Sequence, residues 1–202
     1  MTIDLDGTAW VHPTTVFDGI ASVGFCSRIG HGATTGEPVR IGEGVRIGAF
    51  CIVEAGAQLG ADVEVDHYCR VGCGVRVGAG TRILYRAQVF DEVTIGQNCI
   101  IAGELVDRTV VEDNVTFQGN TAHAHADATR DWDETEEPSP VIRSGSVVGV
   151  DAILIGGITI GPRAYVAAGE RVTCDVPEEM VLQGGELKLL SQFRGMIKVR
   201  DA

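Results

Sequence analysis

Between Val11 and Val106 the chain repeats every six residues, sixteen times over, without an insertion or a deletion. The first positions read Val11, Phe17, Val23, Ile29, Thr35, Ile41, Ile47, Val53, Leu59, Val65, Val71, Val77, Ile83, Val89, Ile95 and Ile101, and only Thr35 is not apolar. The second position is Gly in nine of the sixteen, and the fifth is small or β-branched in all but Leu105. A register held over 96 residues dictates a repeat architecture. An apolar residue every six matches neither the three-and-four stripe of a helix nor a plain alternating strand. It matches a coil of short strands joined by turns, each strand sending one aliphatic side chain inward and pairing with the next coil at about 4.8 Å. Glycine beside that aliphatic residue reads as a turn position with φ > 0, and the small fifth residue as the filler of a tight corner.

Composition agrees with a narrow stack. At 202 residues the chain suits one domain. It is 45% hydrophobic but only 5% aromatic, so a core of Val, Ile, Ala and Gly is expected. The net charge of −12 argues against a nucleic-acid or anionic-membrane partner, since both need a basic footprint. No run of 18 apolar residues is present, so no membrane helix is expected. The first residues, Met1 to Asp6, show neither a basic nor an apolar leader region, which makes a cytoplasmic location the expectation. Cys51, Cys69 and Cys99 all fill the fifth position of a hexad and read as small buried hydrophobes rather than ligands or disulfides. Cys69 and Cys73 have no second pair at metal-ligand spacing.

The motif, an aliphatic residue followed by a small one and a small fifth residue, resembles that of the hexapeptide-repeat ("isoleucine patch") acyltransferase family. The resemblance implies an all-β fold, a left-handed parallel β-helix with three hexads per turn, a hand that general crossover rules would not have supplied. The register slips by four residues at Asp107–Val110, resumes at Val111 and Phe117, breaks again, and returns at Ile142, Val148, Leu154, Ile160, Val166 and Val172. That predicts about eight turns over 11–177, preceded by a lead-in at 1–10 and interrupted by an excursion at 123–141. A C-terminal segment follows at 178–202. Its apolar residues at 187, 190, 193 and 197 predict a short α-helix capping the end of the stack.

The excursion from His123 to Val141 is 19 residues long, a length that is uncommon for a structureless loop without a function. It holds two histidines, Trp132, and six carboxylates against the single Arg130. In the family a catalytic His stands at the start of such a loop, ahead of a Pro-[IV] that re-enters the coil. His123 and His125 precede Pro140-Val141 at that separation, and residues two apart in an extended segment face the same way, so both remain candidates. Histidine suits a general base at neutral pH. Phe117-Gln118-Gly119-Asn120 resembles the Phe-x-Asn-Asp stretch of the amino-sugar branch, with Thr121 where that branch has Asp. Asn120 is therefore read as orienting the acceptor, and Trp132, Asp127 and Arg130 as binding it. Six loop carboxylates favour an ammonium acceptor over a plain alcohol.

Val148–Gly161 resembles the family's Ile-Gly-x-x-Ala-x-Ile-x-x-Gly-Val-x-Ile-Gly, and Val166–Pro177 its Val-x-Ala-Gly-Ser-x-Val-Thr-Lys-Asp-Val-Pro, with Cys174 replacing the Lys. The resemblance implies acetyl-CoA, or another acyl-CoA, lying along these last coils between two subunits of a homotrimer. Val150, Gly157, Ala168 and Thr173 are the expected contacts, with Arg163, Arg171 and Lys188 standing in for the missing phosphate ligands. An acyl carrier protein is the alternative donor. The reading is an acyl-CoA-dependent N-acyltransferase acting on an amino sugar or nucleotide-linked amino sugar, with no metal. Its alternatives are an O-acetyltransferase, a γ-class carbonic anhydrase-like metal enzyme drawing on His67, His123 and His125, and a non-catalytic β-helix interaction protein.

Overall fold

Two of every six residues point inward, and that pattern shapes the coil. In the computed structural model, which describes residues 3–5, 7–18, 21–36, 38–126, 129 and 137–193, the first hexad position is buried and the residue before it faces out, as in Arg46–Ile47 and Arg82–Ile83. The fifth position is buried as deeply: Val45, Cys51, Ala57, Val63, Cys69 and Val75 are all at 1% exposure or less. The result is a left-handed parallel β-helix. Its three sheets are called I, II and III here in chain order. Sheet I runs from Ile3–Leu5 to Thr159–Ile160, sheet II from Trp10–Val11 to Glu186–Leu189, and sheet III from Val16–Phe17 to Arg171–Val172. Every strand pairs in parallel with the one a full turn away until the last pair of sheet II. Nine turns stack to roughly 40 Å.

The spacing predicts eight turns, and the three rungs it misses are instructive. Ile3–Leu5, assigned to the lead-in, already pairs with Ala21–Val23. Leu105, the lone exception at the fifth position, is in fact a first-position residue: it is fully buried and aligned with Val89. Thr121 does the same in the next turn, buried and aligned with Leu154. The slip therefore lies not at 107–110, which forms an ordinary corner, but at Ala102-Gly103 and again at Gln118-Gly119, where the II–III corner is two residues short. A Cβ on Gly103 would sit 1.9 Å from the Gly119 carbonyl oxygen, and one on Gly119 2.3 Å from that of Ala152, so these corners admit only glycine.

Second-position glycines also have a different cause from the one the sequence suggests. Left-handed φ falls at the fourth position, where Phe50, Asp62, Tyr68, Arg86 and Glu92 adopt it alongside Gly32, Gly44 and Gly56. Second-position glycines make room instead. A Cβ on Gly24, Gly42 or Gly78 would lie within 2.5–2.8 Å of the next turn's backbone.

The C-terminal helix expected over 186–198 is, in its described part, a strand. Met180–Gln183 joins sheet II and Glu186–Leu189 folds back antiparallel on it, followed by one 3-10 turn at Leu190–Gln192. Gly184 and Gly185 both have positive φ, the requirement of a two-residue hairpin, and the Glu170 carboxylate accepts both of their N–H groups. Pairing with an open sheet edge outweighs the helical stripe. Residues 194–198 of that stripe lie outside the described residues.

Buried Cys51, Cys69 and Cys99 behave as the small hydrophobes expected. A hydrogen bond with Cys51, then burial, holds the Cys69 thiol far above the usual range. Burial likewise raises Cys99.

Candidate active site

The strand Asn120–Ala122 delivers the chain to the loop. Thr121 faces inward, where its Oγ1 accepts the Val106 N–H at 2.7 Å. The position where the resembled motif has Asp therefore packs inside the coil here. Asn120 and Ala122 consequently face out, and the Asn120 Oδ1 lies beside the shortened corner at Gly103.

His123 follows at the III–I corner. Its ring is half-buried, and its Nδ1 is fully buried with no hydrogen-bond partner among the described residues. A buried polar nitrogen left unpaired costs on the order of 1–3 kcal/mol, the kind of local deficit that clusters where chemistry occurs. The His125 ring lies 6.0 Å away, centroid to centroid, tilted by 57°. His125 is exposed and has φ 46°, a left-handed conformation. Glu137, from the far end of the loop, holds it there. The Glu137 Oε2 accepts the His125 backbone N–H at 2.7 Å, and its Oε1 lies 3.5 Å from His125 Nδ1. The Glu137 side chain is only 12% exposed, so this contact is better shielded than an ordinary surface pair.

Two glycines close the loop's neck. Ala124 packs over Gly156, and Pro138 over Gly157, where an added Cβ would come within 2.3 Å of the proline ring. Ser139 Oγ donates to the Asp107 carbonyl at 2.5 Å, pinning the return to the preceding turn. The neck thus brings His123, His125 and Glu137 together. Glu137 is the residue that spacing alone does not reveal, because its link to His125 spans twelve residues and exists only once the loop closes. Asp127, Arg130 and Trp132 lie outside the described residues.

The expected donor-binding residues do not gather in one place on one chain. Val150 is 52% exposed on the II–III corner, and Ala168 stacks beneath it, with the Gly169 N–H donating to the Val150 carbonyl. Arg171 projects from sheet III in register with Ile153 and has no ion-pair partner among the described residues. Gly157 and Thr173 lie on the opposite, III–I, corner. Arg163 sits on the I–II corner, tied to Glu178 and Glu179 at 3.0 and 2.6 Å. Lys188 pairs with Glu186 on the terminal hairpin. The last two are already neutralised by neighbouring carboxylates.

One group among the described residues has ligand atoms close enough for a metal: Glu54, Cys73 and Asp91, a few turns above the loop on the same corner. Arg70 stands among them, 2.7 and 3.0 Å from the Glu54 oxygens and 3.3 Å from Asp91. That guanidinium already supplies the positive charge the two carboxylates need, and its hydrogen bond lowers the Glu54 pKa. His67 lies on the II–III corner, where its Nδ1 accepts the Ala49 N–H at 2.8 Å, three turns from His123.

No family model matches the chain. It is 32% identical over 194 residues to the bifunctional protein GlmU of Nostoc sp., an alignment covering 90% of this chain and 38% of that protein. It is 40% identical over 57 residues to serine acetyltransferase 2 of Arabidopsis thaliana, covering 28% of this chain and 18% of that one. Among solved structures, the UDP-N-acetylglucosamine O-acyltransferase LpxA of Moraxella catarrhalis superposes with a TM-score of 0.62 at 15% identity, covering 88% of this chain and 72% of that one. The chain spans well under half the length of the GlmU relatives it matches, 28% and 39% in two further cases.

Proposed function

We propose, for a chain whose repeat domain belongs to the hexapeptide-repeat acyltransferase family, that it moves an acetyl or other short acyl group from coenzyme A to the amino group of a small acceptor. The acceptor is an amino sugar, free or nucleotide-linked. The observation that carries this reading is the loop neck: a half-buried His123 whose Nδ1 has no described partner, 6.0 Å from a His125 fixed by Glu137. In this reading His123 takes the proton from the acceptor nitrogen as that nitrogen attacks the thioester carbonyl. A tetrahedral oxyanion forms, a backbone N–H stabilises it, and the C–S bond breaks to release the thiol, which carries away the proton. The six carboxylates of the loop draw in the ammonium form of the acceptor, which releases one proton to solvent before it attacks as the free amine.

The scatter of the donor residues supports a homotrimer. Val150 and Ala168 stand on one edge of the prism and Gly157 and Thr173 on another, so a donor laid between two copies meets one edge of each. The test is thiol release from acetyl-CoA across amino sugars and nucleotide-linked amino sugars, with His123→Ala and His125→Ala beside the wild type. A loss of at least ~100-fold in His123→Ala is expected for a missing general base. An equal loss confined to His125→Ala reassigns the base. Absence of thiol release with every acceptor, alongside transfer from an acylated carrier protein, reassigns the donor.

A further inference from the structure

We infer that the outer face of sheet I carries a binding site for a phosphoryl oxyanion, held between Arg40 and Arg76. Two columns of side chains in this coil share one geometry and differ by one residue. On sheet II, Arg46, Glu64 and Arg82 are consecutive ladder partners. Glu64 takes both arginines with a single oxygen, at 3.3 Å from Arg46 and 3.1 Å from Arg82. On sheet I, Arg40, Gln58 and Arg76 are ladder partners in the same register. There the central carboxylate is an amide, and neither arginine has an ion-pair partner among the described residues.

The sheet II triplet measures what the sheet I triplet can do. Arginines one rung above and one rung below a central position, roughly 10 Å apart by strand spacing, both reach an oxygen placed over that position. The sheet I column leaves that oxygen to be supplied from outside. It continues with hydroxyls, Ser22 on the rung before Arg40 and Thr94 on the rung after Arg76. A groove of about 530 Å³ runs along it, lined by Ser22, Arg40, Gln58 and Arg76 and by no carboxylate. In a chain with 28 acidic and 16 basic residues, a surface groove with that lining departs from the average. Two guanidiniums that share one oxyanion favour a doubly charged tetrahedral group over a single carboxylate, because its three terminal oxygens let each fork engage two of them with one shared. A phosphate monoester fits that description. The site lies in turns three to five, away from the turn that carries the loop neck, and does not depend on the acyl-transfer reading.

The probe is inorganic phosphate, titrated against the chloride-matched buffer while the arginine side-chain Nε–H signals are followed by NMR. Saturable shifts of Arg40 and Arg76 together are expected. Arg76→Gln should weaken binding by ~10-fold or more, as expected for the loss of one charge-assisted fork. Gln58→Glu should abolish it by filling the position from within. Glu64→Gln should create a second phosphate site, read as new shifts of Arg46 and Arg82. Shifts that do not saturate, or binding that survives Gln58→Glu, overturn the inference. A drop in mass of Arg76→Gln by light scattering also overturns it, since the anion would then be a carboxylate of another copy.

Discussion

In turns two to five every II–III corner keeps its full length, and a file of rings seals the outside of that edge. His31, Phe50, Tyr68 and Tyr85 follow one another at 5.1, 5.3 and 5.8 Å. In turns six and seven the same corner loses two residues, at Gly103 and Gly119, and the file stops. Turn seven then opens the III–I corner into the loop that starts at His123. Unbroken hexads largely satisfy themselves: inward side chains fill the core, and outward arginines such as Arg46, Arg70 and Arg82 find carboxylates. The broken hexads carry the unpaired imidazole. A coil of constant section offers only open grooves along its outer faces, and the half-buried imidazole arises where the repeat is cut.

The largest expected effect falls on a cut corner. Gly103→Ala places a Cβ 1.9 Å from a carbonyl oxygen at φ 96°, and should cost about 3 kcal/mol or more in urea unfolding. Gly169→Ala on the same edge, also at positive φ but with nothing within 4 Å, should cost only about 1 kcal/mol. Equal costs would erase the distinction drawn between the two kinds of corner. Next comes the loop neck. Glu137→Gln weakens its grip on the His125 amide, and that N–H should exchange ~10-fold faster, about 1.4 kcal/mol of local opening. Amides of turns two to five should be unmoved, and an equal change there would mean that the neck and the regular stack open together.

The smallest effect sharpens the comparison from the regular side. The Arg70 hydrogen bond holds the Glu54 carboxyl below its ordinary value. A lowered folded-state pKa gives stability that is present above the ordinary carboxylate pKa of about 4.3 and is lost as pH falls through the lowered one. Glu54→Gln should therefore lower neutral-pH stability by no more than about 1 kcal/mol, the ordinary range for a partly exposed pair. It should also flatten the Tm profile below about pH 4. An unchanged slope in that window would show that Glu54 is not among the carboxylates that set acid stability.

The residues that misled are as informative as those that did not. Leu105 breaks the small-fifth-position rule because it is not at a fifth position, and that single exception already marked the shortened corner. Nothing comparable marks Glu137, one of six loop carboxylates until it meets His125. The stripe at 187, 190 and 193 is a genuine helical pattern, overridden by an open strand edge that exists only after nine turns have stacked.

What the amino-acid sequence determined by itself is the coil: its period, its inward residues, its narrow aliphatic core and the place where a long loop leaves it. Those follow from contacts that each hexad repeats, so six residues at a time are enough to read them. The pairing of Glu137 with His125, the burial of His123 Nδ1, the glycine-only corners and the contrast between Arg46-Glu64-Arg82 and Arg40-Gln58-Arg76 were decided by the tertiary structure. Each depends on which residues stacking brings face to face a turn or a loop apart, and a count along the chain does not measure that distance until the register of every corner between them is known.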